Sequence, residues 1–276
     1  MCGRYAASAD PDELIEIFEV DVNGLGDPSR SLLVNPQAPP VGSPDFNMAP
    51  NKQALVVLER RGRDDQADQV QRHLRPLTWG LAPSWAKDVK IGVRMTNARS
   101  ETLFDKPAFR KAATSRRALI PADGWYEWQV SPVATDAKGK PRKQPFFMSR
   151  ADGALTAFAG LYEFWRDPSA VDGDPGAWLT TFTIITTAAE PGLEQIHDRQ
   201  PVVLDPSTWD AWLDPSLVSP GAVRDLLHSG DPGRFQTWAV STAVNSNRNN
   251  GEALLTPIDE SEFKGVVNPA TGEIIG

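Results

Sequence analysis

The chain has 276 residues, 28 lysines and arginines against 36 aspartates and glutamates, a formal net charge of −8, and one cysteine, Cys2. A single cysteine excludes an internal disulfide and a cysteine-based zinc site, and fits a reducing cytoplasm. The acidic balance argues against broad attraction to nucleic acid unless basic residues gather locally, because phosphate neutralisation depends on the field at the groove.

Asp10-Pro11-Asp12-Glu13 ahead of Leu14, Ile15, Ile17 and Phe18 predicts a short helix with Asp10 as N-cap and Pro11 at its first position, ending near Val20. Residues 21–45, rich in proline and glycine, read as a mobile surface loop. A strand-like run at 54–58 precedes a helical pattern at 106–116, opened by Pro107, and a strand at 118–120. The basic segment 131–144 reads as a polar loop before strands at 145–148 and 155–161. A second polar loop at 167–176 leads to strands at 178–186 and 201–204. Helical patterns at 207–213 and 220–228, the latter with Val223, Leu226 and Leu227 on one face, are followed by a strand at 235–240 and a tail over 259–276. The mixture favours one strand-rich α+β domain over 1–276 rather than βαβ winding. No run approaches the roughly 20 apolar residues of a spanning helix, and the N-terminus lacks a basic segment followed by an apolar one. A soluble, cytoplasmic protein with no membrane partner is expected.

Cys2 is the first candidate for chemistry. Removal of Met1 would leave a free 1,2-aminothiol, with an α-amine pKa of about 7.7–8.0 beside a thiol near about 8.5. Such an amine forms a Schiff base with an aldehyde, and the thiol then closes a five-membered thiazolidine intramolecularly. An ordinary small apolar residue near a terminus would look the same. Of the three histidines, His73 and His228 read as surface residues, whereas His197 lies in the polar cluster Gln195-Ile196-His197-Asp198-Arg199, suited to proton transfer or to a structural hydrogen bond. In Gly124-Trp125-Tyr126-Glu127-Trp128 a carboxylate sits among aromatic rings, which would raise its pKa by desolvation. The alternative is a strand with Glu127 facing solvent. Thr96-Asn97-Ala98-Arg99-Ser100-Glu101-Thr102 reads as a loop able to line a site, or as a plain connection.

Met-Cys-Gly-Arg-Tyr at the terminus, Phe46-Asn47-Met48-Ala49-Pro50, Trp79-Gly80-Leu81-Ala82-Pro83-Ser84-Trp85-Ala86, Asn97-Ala98-Arg99-Ser100-Glu101-Thr102, Pro121-Ala122-Asp123-Gly124-Trp125-Tyr126-Glu127-Trp128 and Ile196-His197-Asp198-Arg199 occur in that order. Val244-Asn245 and Asn249-Asn250-Gly251 close the set. Over residues 1–258 the chain resembles the SOS response-associated peptidase (SRAP) family, whose members cross-link themselves to abasic sites in single-stranded DNA. The resemblance implies a barrel-like mixed or antiparallel core with peripheral helices, working as a monomer without cofactor or metal and associating with the nucleoid during DNA damage. It makes Cys2 the nucleophile, Asn97 a positioning residue at the Cys2 amine, and Glu127 and His197 the acid/base pair. It places Arg4, Asn47, Pro50, Trp85, Arg99, Trp128 and Arg199 along the single-strand groove, with Thr187 bordering the pocket. Arginines gathered beside aromatic faces would answer the objection from net charge. The sequence departs from the family pattern at Asn51-Lys52, at Gln200 and in an extended 21–45 loop.

Two rival readings use the same residues. One is an N-terminal-nucleophile peptidase with a Cys2 thiolate activated by His197, able to remove its own Met1. The other is a non-covalent reader of damaged DNA that uses the arginines and tryptophans only.

Overall fold

The computed structural model describes residues 2–27, 38–62, 69–228, 230, 232–269 and 271–276. The first half runs β1 (Tyr5–Ala7), α1 (Pro11–Ile17), β2 (Val22–Asn23), β3 (Asp45–Met48), β4 (Gln53–Arg61), β5 (Val70–Trp79), β6 (Asn97–Arg99), α2 (Pro107–Ser115), β7 (Arg117–Ala122) and β8 (Gly124–Thr135). The second half runs β9 (Pro141–Arg150), β10 (Thr156–Arg166), β11 (Trp178–Ala188), β12 (Arg199–Pro201), α3 (Trp209–Leu213), α4 (Pro220–Asp225), β13 (Phe235–Ala239), β14 (Val266–Val267) and β15 (Ile274–Ile275).

β11, β10, β7, β4 and β5 pair in that order, and β5 returns to β11 through the parallel pairs Thr181↔Thr78 and Phe182↔Trp79. Five strands therefore close into a barrel, which removes the exposed edges an open sheet would carry. Its apolar filling joins Val56, Leu58, Trp79, Ile120, Phe158 and Phe182 in one buried cluster. The opposite faces of the same strands, with Val57, Leu119 and Ile185, pack under α1, α2 and α3 in a second cluster. A five-stranded sheet, β13-β9-β8-β1-β3, carries the N-terminus. The protein is thus a strand-rich single α+β domain, as its sequence leads one to expect.

Asp10 accepts a hydrogen bond from the Asp12 N–H and Pro11 opens α1, although the helix stops at Ile17 and Phe18 caps it, short of the expected Val20. α4 likewise ends at Asp225, before the expected 228, and residues 206–208 form a 3-10 turn leading into α3. The loop expected at 131–144 is a correction: β8 runs to Thr135 and β9 begins at Pro141, so only residues 136–140 turn. Of the 21–45 loop, residues 28–37 lie outside the described residues; Val22 and Asn23 pair with β5, and Asp45 starts β3. His73, expected at the surface, is half-buried on β5. Residues 259–276 include the β14–β15 pair, with Val266 buried.

Candidate active site and nucleic-acid face

β1 pairs with β8 through Tyr5↔Trp125 and Ala6↔Gly124, and the Tyr126 N–H donates to the Arg4 carbonyl at 2.9 Å. Continuing this antiparallel register puts residue 3 opposite Glu127, so the chain's start is laid beside that carboxylate. Gly124 is required here, because a Cβ would collide with the Met148 carbonyl of β9. From the barrel side, β6 runs parallel to β11 with Asn97 opposite Ile184. Asn97 Nδ2 donates to the Cys2 carbonyl at 2.9 Å and to Thr96 Oγ1 at 3.2 Å. Among the described residues its Oδ1, also buried, has no hydrogen-bond partner.

Cys2 is fully buried. Burial pushes its thiol far above the usual thiol range, and the neighbouring Glu127 charge adds to the effect. Glu127 is itself buried, and desolvation pushes its carboxyl up to about 7, with the Asp198 carboxylate acting in the same direction. His197 Nε2 lies 3.9 Å from Glu127 Oε2. Its Nδ1 accepts the Arg199 backbone N–H at 3.0 Å, so the neutral ring carries its proton on Nε2, toward Glu127. Asp198 Oδ1 is also 3.0 Å from Nδ1, a contact attractive only when Nδ1 carries a proton. The fixed backbone donor governs, because Asp198 is exposed and free to rotate whereas burial lowers the His197 pKa. Cys2, Asn97, Glu127 and His197 are therefore brought together from four distant segments.

The raised Glu127 pKa has a consequence for stability. The folded state holds this proton more tightly than the unfolded chain, whose value is near 4.5. The contribution is full below that value and is lost as pH rises through about 7, leaving an ionised buried carboxylate that costs about 3 kcal/mol at most. Glu127→Gln is expected to raise Tm at pH 8 and to leave it nearly unchanged at pH 4, as measured by calorimetry. An equal shift at both pH values would mean that the carboxyl titrates normally.

Around this centre the expected groove residues occupy different depths. Arg4 Nη1 donates to Asn47 Oδ1 at 2.7 Å and to the Val244 carbonyl at 3.0 Å, with its guanidinium 5.9 Å from the Trp128 ring centroid. Trp128 Nε1 donates to Asn245 Oδ1 at 2.7 Å. Asn47 is completely buried, and its Nδ2 donates to the carbonyls of Val244, Ser246 and Asn249, so it staples the 242–250 segment from beneath. Trp85 is 59% exposed on a segment pinned by Trp165 Nε1 to the Ala86 carbonyl at 2.7 Å. Gly80, at φ +131, and Gly92 cross so closely that a Cβ on Gly80 would lie 2.6 Å from the Gly92 carbonyl oxygen. Pro50 is half-buried, and Thr187 is partly exposed opposite Gln200. Arg99 is exposed, and among the described residues its side chain has no ion-pair partner. Arg199 is instead clamped: Nη1 and Nη2 meet the two Glu101 oxygens at 2.5 and 3.0 Å, and Nη2 also donates to the Thr186 carbonyl at 2.7 Å.

The partners Asn245 and Glu101 were not singled out from the sequence, although both lie inside quoted motifs. At the departures from the family pattern, Lys52 forms a buried ion pair with Asp45 at 2.6 Å, and Asn51 adopts φ +70. Gln200 Oε1 accepts the Glu190 N–H at 2.9 Å. Among the described residues no helix is long and apolar enough to cross a membrane.

A family model described as SOS response associated peptidase (SRAP) matches residues 1–247. The abasic site processing protein YoqW of Bacillus subtilis (strain 168) is 38% identical over 257 residues, 92% of this chain and 99% of that protein. The abasic site processing protein YedK of Escherichia coli (strain K12) is 30% identical, over 94% of this chain and 100% of that one. A solved structure of a protein from Bacteroides thetaiotaomicron matches in fold with a TM-score of 0.69 at 21% identity, covering 93% of this chain and 100% of that chain.

Proposed function

The chain belongs to the SOS response-associated peptidase family, and on that premise we propose that it processes abasic sites in single-stranded DNA, linking itself to the opened sugar through Cys2 after Met1 removal. On this reading it acts as a monomer in the cytoplasm, at the nucleoid during DNA damage, and shields the lesion. The observation that carries the proposal is the convergence of Asn97, Glu127 and His197 on the first residues of the chain. Met1 lies outside the described residues.

The freed Cys2 amine attacks the aldehyde carbon of the ring-opened abasic sugar, and water leaves to give a Schiff base. The thiol then adds across the carbon–nitrogen double bond, its proton passing to nitrogen, and the thiazolidine closes. Asn97 Oδ1 accepts from the amine and holds it in place. Glu127, half protonated near neutral pH, takes the proton released from the amine and returns it to the departing water. Neutral His197 donates its Nε2 proton to the ring oxygen as the sugar opens, the hydroxyl proton leaving to solvent and His197 being reprotonated from it. The raised thiol pKa argues against the thiolate peptidase reading, which needs a depressed one.

The test is the mass of the denatured protein after incubation with an abasic single-stranded oligonucleotide. The expected species is the Met1-free chain plus the oligonucleotide minus one water. Unchanged protein mass, with the oligonucleotide bound only under native conditions, would favour the non-covalent reader.

The two arginines are expected to differ. Arg99 is free to meet a phosphate, whereas Arg199 must share its guanidinium with Glu101. Arg99→Ala is expected to lower the slope of log K against log salt by roughly 0.7, one single-strand phosphate contact, and Arg199→Ala by less. Both losses apply equally to intact and abasic strands, since phosphate contacts do not read bases. Titrations at several salt concentrations decide it, and an unchanged slope for Arg99→Ala removes that residue from the groove.

A further inference from the structure

We infer that the β8–β9 hairpin is a second DNA-contacting element, an arm whose basic tip holds the phosphate backbone of the strand or duplex flanking the lesion. This deepens the reading above and rests on it.

Lys138, Lys140, Arg142 and Lys143 lie within six residues of a chain whose net charge is −8. The three lysines are exposed and Arg142 is half-buried, and none of the four forms an ion pair with a described residue. Elsewhere the cations are often neutralised locally, as in Arg72 with Glu59 and Asp210, Arg116 with Glu163, and Arg199 with Glu101. The one acid of the tip, Asp136, is turned onto the backbone: its Oδ1 accepts the N–H groups of Lys138 and Lys140 at 2.8 and 2.9 Å. It therefore shapes the turn while leaving the lysine side chains unpaired.

The arm is anchored at its root. Gln129 Nε2 donates to the carbonyls of Gln195 and Val267 at 3.0 and 2.8 Å, and its Oε1 accepts the Val267 N–H at 2.8 Å. Ser131 Oγ accepts the Ala134 N–H at 2.8 Å, and Gly265, beside β14, packs against Ser131 and Ala134. A basic element held this way loses little conformational freedom when it meets an anion.

The arm also starts at the reaction centre. Glu127 and Trp128 are on β8, and the register pairs Trp128 with Pro145 and Val130 with Lys143. Directly opposed residues project to one face, and that face alternates along the strand. Trp128, Val130 and Lys143 thus share a face, which continues the Trp128 side of the candidate groove outward to the cations. Ten residues separate Trp128 from Lys138, roughly 30 Å at the rise of a strand, or about nine nucleotide steps of DNA. A solvated hairpin would need neither the anchoring nor the shared face.

The experiment compares wild type with the quadruple variant Lys138→Gln, Lys140→Gln, Arg142→Gln, Lys143→Gln, whose substitutions lie outside the core. The probes are oligonucleotides bearing a tetrahydrofuran abasic analogue, which has no aldehyde and reports binding alone. Three are used: a short strand unable to reach the tip, a long single strand, and the short strand flanked by duplex. Both proteins are expected to bind the short strand equally. On one or both longer probes the variant is expected to bind on the order of tenfold more weakly at low salt, with the slope against log salt reduced by roughly 0.7 per lost contact on single strand or about 0.9 on duplex. Whichever probe responds identifies the flank. Equal affinities and slopes on all three, with wild-type binding intact, overturn the arm alone. Equal weakening on the short strand also overturns it, because the effect would then not depend on reach. Absence of wild-type binding to any probe overturns the functional reading and the arm together.

Discussion

Cys2→Ala is expected to yield no denaturation-resistant adduct with abasic single-stranded DNA while still binding the same oligonucleotide. The amine survives in this variant and can form a Schiff base, but that bond is reversible and hydrolyses when the protein unfolds. Only the thiol locks the carbon into a ring. The groups proposed to hold the strand, Arg4, Trp85, Arg99 and Trp128, do not use the sulfur. Its loss removes one fully buried atom, worth about 1 kcal/mol, against a domain stability of about 5–15 kcal/mol, so the variant remains folded. Electrophoresis under denaturing conditions measures the adduct and fluorescence anisotropy the binding. An undiminished adduct from Cys2→Ala would move the nucleophile to another residue.

Much of the fold was legible because its signals are local. Asp10-Pro11 caps α1, and the apolar runs inside β10 and β11 announce long buried strands. β5 was missed because Val70–Trp79 contains Pro76, which reads as a strand breaker. The proline is tolerated by its position: on the side away from β4, β5 pairs with β2 at His73 and Leu74 and with β11 at Thr78 and Trp79. Pro76 falls in the gap between these two short pairings, where no ladder N–H is wanted. The hairpin at 131–144 was hidden by Pro132, Gly139 and Pro141, turn formers that sit at the register irregularity, in the turn and at the first residue of β9.

The site was legible to a different degree. Glu127 among aromatic rings signals a desolvated carboxylate from five consecutive residues, and its burial bears out the physical reasoning. Nothing local connects Asn97 to Cys2, ninety-five positions away, or Arg199 to Glu101, ninety-eight away. Those meetings follow from the β6–β11 and β11–β12 pairings, which no single segment encodes; the ordered set of motifs implied the first and not the second. Asn47, expected along the groove from its motif, is buried, and its three carbonyl partners hold the 242–250 segment, a role that its motif does not announce.

The sharpest separation of cross-linking from thiol proteolysis comes from inserting one alanine between Met1 and Cys2. After Met1 removal the terminus is alanine, and the Cys2 nitrogen is an amide whose lone pair is delocalised into a planar peptide bond. It can no longer form a Schiff base. The thiol remains and adds to an aldehyde only as a hemithioacetal, which does not persist through denaturation. The alanine amine can form an imine, trappable with borohydride, but has no thiol on its own residue with which to close a five-membered ring. The expected result is no stable adduct without reductant, weak trapping with it, and near-normal non-covalent affinity for single strands. A peptidase acting through the thiol alone does not require the α-amine, so retained cleavage of a peptide substrate by the insertion variant would support that rival. A heat-stable adduct formed at the wild-type rate would replace the aminothiol mechanism with a thiol-only reaction at Cys2.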